Sequence, residues 1–372
     1  MVDLKGQYRK IKPEIDLAIQ QVIDEASFIN GDQVTKFQLG LEAYLGVAHV
    51  IPCANGTDAL QLAFMALDLK PGDEVIIPAF TYVATAEVIA LLRLKPVMVD
   101  VDPDHFNITI EEIKRNITAK TKAIVPVHLF GQAAPMEEIM NLASEYDLYV
   151  IEDNAQAIGA DYYFSDGSVK KLGTIGHIGT TSFFPSKNLG CYGDGGAAMT
   201  NDSELSKKIK MMANHGQSVK YQHDTIGCNS RLDSIQAAVL NVKLAYLDDY
   251  KEARNNVAAK YDEALKDLDW LQIPERINRS NHVFHQYTIK TKDTSKRDAL
   301  KNYLADQGIP TMIYYPIPLY KQKAYNNYSK LGIHLANTEN LCQSVLSLPI
   351  HTEMNDDEIK YITTKIKSFI SN

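Results

Sequence analysis

Tyr149-Val150-Ile151-Glu152-Asp153-Asn154-Ala155-Gln156 is the stretch on which the fold class turns. A short apolar run ends in two adjacent carboxylates. Alternation along a strand sends neighbouring side chains to opposite faces, so one carboxylate points into a pocket at the strand's carboxyl end. The plain alternative is a solvated loop acid or a helix cap. Working outward, similar runs recur at Val75-Ile76-Ile77, Val97-Met98-Val99 and Ile124-Val125-Pro126-Val127, then at Thr180-Thr181-Ser182-Phe183 and Ala197-Ala198-Met199. Helical patterns lie between them, as from Asp58 to Leu67. Strand–helix alternation of this kind predicts an α/β domain built on a mostly parallel sheet, which binds ligands at the carboxyl ends of its strands.

The pattern changes near Leu240. A helical stretch from Leu232 to Leu265 leads to a strand at His285-Gln286-Tyr287-Thr288-Ile289, a helix from Ser295 to Gln307 and a closing helix from Asp356 to Ile370. The N-terminal segment Pro13 to Ala26 has helical spacing, with Pro13 placed for a helix start. We expect a large α/β domain over 1–245 and a smaller α+β domain over 246–372; the 372-residue length suits two cores.

The net charge of −8, with no basic stretch, argues against a nucleic-acid partner. No apolar run approaches the roughly 20 residues that span a bilayer, and Met1-Val2-Asp3-Leu4-Lys5 lacks a signal-peptide core, so the expected location is the cytoplasm, away from membranes. Cys53, Cys191, Cys228 and Cys342 are scattered without a CxxC, which signals neither a metal site nor a redox pair. Cys191 reads as a packed residue, with a reactive thiol as the alternative.

Two further segments carry chemistry. In Thr181-Ser182-Phe183-Phe184-Pro185-Ser186-Lys187-Asn188-Leu189-Gly190 a single lysine follows a strand and precedes the turn Gly193-Asp194-Gly195-Gly196. A rigidly held lysine that loses its proton near neutral pH suits a Schiff base; the alternative is a surface lysine. Asn55-Gly56-Thr57 stands at a helix start, where backbone N–H groups favour a phosphate, or where Thr57 is simply an N-cap. Neither GxGxxG nor GxxxxGK[ST] occurs, which removes the dinucleotide and P-loop readings. A carboxylate, a lysine and a phosphate site together match pyridoxal phosphate (PLP), whose pyridine nitrogen needs an acidic partner.

The chain resembles the DegT/DnrJ/EryC1/StrS sugar aminotransferases, PLP enzymes of fold type I. The matching stretches run over nearly its whole length. They include Ala54 to Leu60, Pro71-Gly72-Asp73-Glu74-Val75, Phe80-Thr81-Tyr82-Val83-Ala84-Thr85 and Glu152 to Gln156. Ser182 to Gly196, His215-Gly216-Gln217, Asn229-Ser230-Arg231-Leu232-Asp233, Gln236-Ala237-Ala238 and Tyr315-Pro316-Ile317-Pro318-Leu319 complete the set. The resemblance implies Lys187 as the Schiff-base lysine, Asp153 on the pyridine nitrogen, Gln156 on the ring hydroxyl and Tyr82 on the ring face. It places Gly56, Thr57 and Ser182 on the phosphate and has Asn229 reach the cofactor of a neighbouring subunit, hence a homodimer with shared active sites. Arg231, Tyr314 and Tyr315 lie where relatives hold sugar or amino-donor carboxylate; for Arg231 the alternative is a structural ion pair with Asp233. His128 lies at a strand end near that pocket, or is a packed histidine.

The implied reaction moves an amino group from L-glutamate to a nucleotide-linked keto sugar for cell-surface polysaccharide synthesis. Lys5-Gly6-Gln7-Tyr8, the Gly190–Gly196 turn and Asn229-Ser230-Arg231 resemble enzymes acting at C3 of UDP-linked 3-keto-N-acetylglucosaminuronic acid. A dTDP-3-keto-6-deoxyhexose or 4-keto sugar is the alternative substrate, and a non-catalytic PLP-binding regulator the alternative class. Lys187 argues against the sugar-dehydratase branch, which carries histidine there. Asn154, Asn30-Gly31-Asp32 and Tyr314 depart from the usual alanine, Leu-Gly-Pro and histidine.

Overall fold

The computed structural model describes residues 1–328 and 333–369. Its centre is a seven-stranded sheet of β1 (His49–Cys53), β2 (Glu74–Pro78), β3 (Lys95–Val99), β4 (Thr121–Ile124), β5 (Tyr149–Asp153), β6 (Ile178–Ser182) and β7 (Gly196–Thr200), in the order β1-β7-β6-β5-β4-β2-β3. The pairs within β3-β2-β4-β5-β6 are parallel. β7 runs antiparallel to both β6 and β1. This corrects the expectation that Ala197–Met199 continues the parallel set; β1, which the sequence reading did not pick out, is an added edge strand.

Period-two alternation splits the strands between two cores. Val75, Ile77, Ile151 and Ile178 pack with Ala59, Leu62 and Ala63 of the helix α3 (Gly56–Ala66) and Val88 and Ile89 of the helix α4 (Ala84–Leu91). Ile76, Ile124 and Val150 face the other way, onto Ile139 and Leu142 of the helix Met136–Tyr146. Continuing that alternation puts Asp153 on the α3/α4 side and Glu152 on the opposite side. Strands covered on both faces explain the unbroken apolar runs in the sequence.

The N-terminal helix begins at Leu4, earlier than expected, capped by Asp3; Ile11 is non-helical and Pro13 falls in the first turn after that kink. The expected helix Leu232–Leu265 is two, Ser234–Leu244 and Leu247–Leu265, broken at Ala245–Tyr246. Beyond the break, the antiparallel strands Leu271–Gln272, Tyr287–Thr291 and Val345–Leu348 pack against Leu247–Leu265, Ser295–Asp306 and Asp356–Ser368 around Val257, Tyr261, Ile289, Leu300 and Ile362. Ile370, expected at the end of the last helix, lies outside the described residues. Leu319, Tyr320 and Tyr325 pack back into the core shared with α3 and α4.

Candidate active site

Chain segments leaving the carboxyl ends of β1, β5 and β6 converge on a cavity of about 820 Å³, which residues from distant parts of the chain complete. α3 enters first. Asn55, not Thr57, is its N-cap, its side chain accepting from Asp58 N–H at 2.8 Å. Gly56 and Thr57 therefore occupy the first turn, where N–H groups have no intrahelical acceptor. Two glycines bring this turn against the sheet. A methyl group on Gly56 would fall 2.7 Å from Ser182 Cβ, and one on Gly196 would fall 2.4 Å from the carbonyl carbon of Asn55. Gly56, Thr57 and Ser182 consequently line one end of the cavity.

At the end of β5 the adjacent carboxylates part. Asp153 lines the cavity; its Oδ2 accepts from Thr85 Oγ1 at 2.8 Å and its Oδ1 from Ala155 N–H at 3.2 Å. Glu152 is fully buried on the other face and accepts from Gly173, Ile175 and Gly176 N–H at 2.8, 2.6 and 2.6 Å. His128 Nε2 is 2.9 Å from the same carboxylate, and His128 Nδ1 accepts from Ala134 N–H. This corrects the placement of His128 in the substrate pocket. Both its ring nitrogens are engaged, it has no exposed surface, and it is absent from the cavity wall.

Lys187, in the loop after β6, also faces the cavity. Its amine has no hydrogen-bond partner among the described residues, and burial lowers its pKa to about 8, with the Asp153 charge opposing part of that shift. Beside it, His285 also lines the wall, with Nδ1 3.3 Å from Asn188 Oδ1. Burial, with the charges of Lys187 and Arg254, holds the His285 imidazole well below its ordinary pKa, so it stays neutral. His285 was expected inside a strand, but that strand begins at Tyr287.

Gln156 is oriented from behind. Its Oε1 accepts from Phe130 N–H at 2.7 Å, which turns its amide NH₂ toward Tyr315, the donor reaching Tyr315 Oη at 3.2 Å. Burial pushes the Tyr315 and Tyr314 hydroxyls upward in pKa. Tyr82 keeps 58% of its surface exposed at the cavity and tilts toward Tyr315, ring centroids 6.2 Å apart. Asn229 and Arg231 do not line the cavity formed by one chain. Arg231 Nε instead donates to Asn229 Oδ1 at 2.6 Å, and no ion pair with Asp233 forms among the described residues.

The residues present fit PLP. The unpaired amine of Lys187 offers a nucleophile, Asp153 an acceptor for a protonated ring nitrogen, and the crowded start of α3 an anion site. The sequence reading missed Thr85 and His285 as site residues. Thr85 carried only the weak signal of a hydroxyl among the apolar residues of α4, and His285 carried none, since its loop is brought in from the far side of the chain.

The sequence profile of the DegT/DnrJ/EryC1/StrS aminotransferase family matches residues 9–367. The chain belongs to this family. Among relatives, the chain is 44% identical to the pleiotropic regulatory protein of Geobacillus stearothermophilus, over 99% of this chain and 98% of that one. It is 45% identical to the UDP-N-acetyl-3-dehydro-alpha-D-glucosamine 3-aminotransferase of Acidithiobacillus ferrooxidans, over 99% and 96%. It is 44% identical to the UDP-2-acetamido-2-deoxy-3-oxo-D-glucuronate aminotransferase of Pseudomonas aeruginosa, over 97% of each. The crystal structure of a family aminotransferase from Brucella abortus superposes with a TM-score of 0.94 at 43% identity, covering 100% of this chain and 99% of that one. A Bacillus subtilis structure with bound cofactor PMP superposes at 0.90, with 32% identity over 98% and 82%. This family aminotransferase has no helix long and apolar enough to cross a membrane among its described residues.

Proposed function

We propose that this aminotransferase uses PLP to move an amino group from L-glutamate to the C3 keto group of a UDP-linked 3-keto-N-acetylglucosamine-type sugar. The observation that carries the reading is the Lys187 amine, desolvated, without a hydrogen-bond partner among the described residues and facing the cavity that Asp153 and the start of α3 also line. Bound PLP supplies an aldehyde for amine capture and a ring that accepts the electron pair freed when a Cα proton leaves. Lys187 would hold the aldehyde and, once displaced by an incoming amine, would be free, with its pKa near 8, to take and return that proton. Asp153 would keep a proton on the ring nitrogen. Gly56, Thr57 and Ser182 would hold the phosphate, Gln156 would donate to the ring hydroxyl, and Tyr82 would lie against the ring. The reading of a non-catalytic regulator has no such use for a free amine of lowered pKa.

The two relatives named for a UDP sugar agree on a 3-keto N-acetylated ring and differ in the oxidation at C6. We favour the uronic acid, with the partner subunit's Arg231 as the carboxylate receptor and the partner subunit's Asn229 completing the phosphate site of a homodimer. Guanidinium matches a carboxylate bidentately, which supports that assignment. Single-turnover amination of the two sugars by purified enzyme tests the choice. Faster turnover of the uronic acid, lost selectively in Arg231→Lys, is expected; equal turnover of both by that variant and wild type would reject it. Mixing Lys187→Ala and Asn229→Ala subunits tests the shared site. Recovered activity in the hybrid is expected, and none despite proven exchange would count against it.

A further inference from the structure

The role proposed for Asp153 depends on how its carboxylate is oriented, and a residue outside the cofactor's expected contacts bonds to it. Thr85 lies in the first turn of α4 and is 1% exposed. Ala84, Ala86, Val88 and Ile89 around it are buried and apolar. A hydroxyl placed there costs stability unless it is bonded. Helical threonines commonly spend their hydroxyl on the carbonyl four residues back. Thr85 instead donates to Asp153 Oδ2 at 2.8 Å, across 68 residues of sequence.

We propose that Thr85 is a positioning residue for the Asp153 carboxylate, fixing its rotamer so that the remaining lone pairs face the cavity. This rests on the reading of Asp153 as the partner of the pyridine nitrogen. The hydroxyl and the Ala155 N–H grip the two carboxylate oxygens, leaving little rotational freedom. An aimed carboxylate is what keeps a proton on a ring nitrogen; a rotated one does not.

The test uses holoenzyme carrying ring-¹⁵N PLP, with Thr85→Val, Thr85→Ser, Asp153→Asn and the Thr85→Val/Asp153→Asn double variant. Thr85→Val deletes the hydroxyl at nearly constant shape. It is expected to move the ring-nitrogen chemical shift toward the unprotonated value and to lower kcat roughly 10-fold, the scale of one hydrogen bond to a charged group, with the sugar KM unchanged. Thr85→Ser should restore both. In the Asp153→Asn background the valine change should cost nothing further, because Thr85 acts only through the carboxylate. Thr85→Ala carries the same test if the valine variant does not fold. A wild-type nitrogen shift and kcat in Thr85→Val would overturn the role, as would an equal loss with and without Asp153. If Asp153→Asn itself kept the wild-type nitrogen shift, the reading of Asp153 would fall and the Thr85 role with it. A responsive Asp153→Asn beside an unresponsive Thr85→Val overturns the Thr85 role alone.

Discussion

Lys187 and Asp153, the groups we propose as catalytic, each have a chemical twin nearby that does something else. Lys243 is buried and Lys187 half-buried, and desolvation lowers both amines to about 8. Asp153 and Glu152 are consecutive on one strand. The twins differ in what their polar atoms face. Lys243 donates to Gly190 O at 2.7 Å and lies 5.0 Å from the Tyr192 ring centre, so its amine is fully used in holding the turn after Lys187. Glu152 likewise spends both oxygens on three backbone N–H groups and His128. Lys187 and Asp153 keep valence open to the cavity. A depressed pKa or a buried carboxylate alone does not mark a catalytic residue; the open valence does.

The largest effect that could break this contrast is on turnover. Lys187→Ala should lose at least about three orders of magnitude in kcat, because the covalent attachment and the proton carrier vanish together. Lys243→Ala should keep measurable turnover and the absorption band of lysine-bound PLP. Comparable losses in both would mean that the two amines are not separable into chemical and structural roles.

The carboxylate pair sharpens it in a second currency. Glu152→Gln turns an acceptor of four hydrogen bonds into a group with an NH₂ facing other donors in a site without water access, and should destabilise the fold by about 3 kcal/mol. Asp153→Asn has cavity space beside it and Thr85 can reverse its hydrogen bond, so stability should change by less than about 1 kcal/mol while kcat falls roughly 100-fold. Chemical denaturation and steady-state kinetics on both variants check the crossover. A stable, slow Glu152→Gln beside an unstable, fast Asp153→Asn would invert the assignment.

The same contrast explains what could be read from the sequence. Alternation along Val150-Ile151-Glu152-Asp153 already required one carboxylate per face, but which face held the cavity depended on α3, α4 and the turn at Gly173–Gly176, all distant in sequence. Lys187 was legible because its flanks are apolar and glycine-rich. Lys243 was not, because a lysine within an amphipathic helix looks like a solvated one until its neighbours are known. The antiparallel direction of β7 escaped because Ala197-Ala198-Met199 has the same buried composition as a parallel strand; direction follows from the connection Phe183–Gly195, which has no crossover helix, not from side chains. His128 was misplaced for a related reason. Its strand end does approach the site, but its ring turns away to the Glu152 side. Thr85 and His285 needed tertiary partners, Asp153 and Asn188, before they had any meaning.

The smallest effect concerns stability and pH. In the cofactor-free protein both desolvated amines have pKa values near 8, below the ordinary 10.5 of an exposed lysine. Between these values the unfolded chain holds protons that the folded chain has released. Stability therefore rises with pH across roughly 8 to 10.5, and below pH 8 the full cost of burying the charges is present. For Lys187 only the Asp153 charge offsets part of that cost, since its amine has no hydrogen-bond partner among the described residues. Lys187→Met should thus stabilise the cofactor-free protein at pH 7, by about 1–3 kcal/mol, and flatten its stability gain between pH 8 and 10. For Lys243 the bond to Gly190 O and the Tyr192 ring offset burial. Lys243→Met leaves that carbonyl without a partner in an apolar site and should be neutral or destabilising at pH 7, though it flattens the same pH slope. Melting curves of the three cofactor-free proteins at pH 7 and pH 10 separate the cases. If Lys243→Met raised Tm as much as Lys187→Met, the bond to Gly190 would be contributing nothing, and the division of the two lysines into an open and a consumed amine would fail. If neither variant flattened the pH slope, the lowered pKa of Lys187, and with it the account of how this amine is a base near neutral pH, would have to be abandoned.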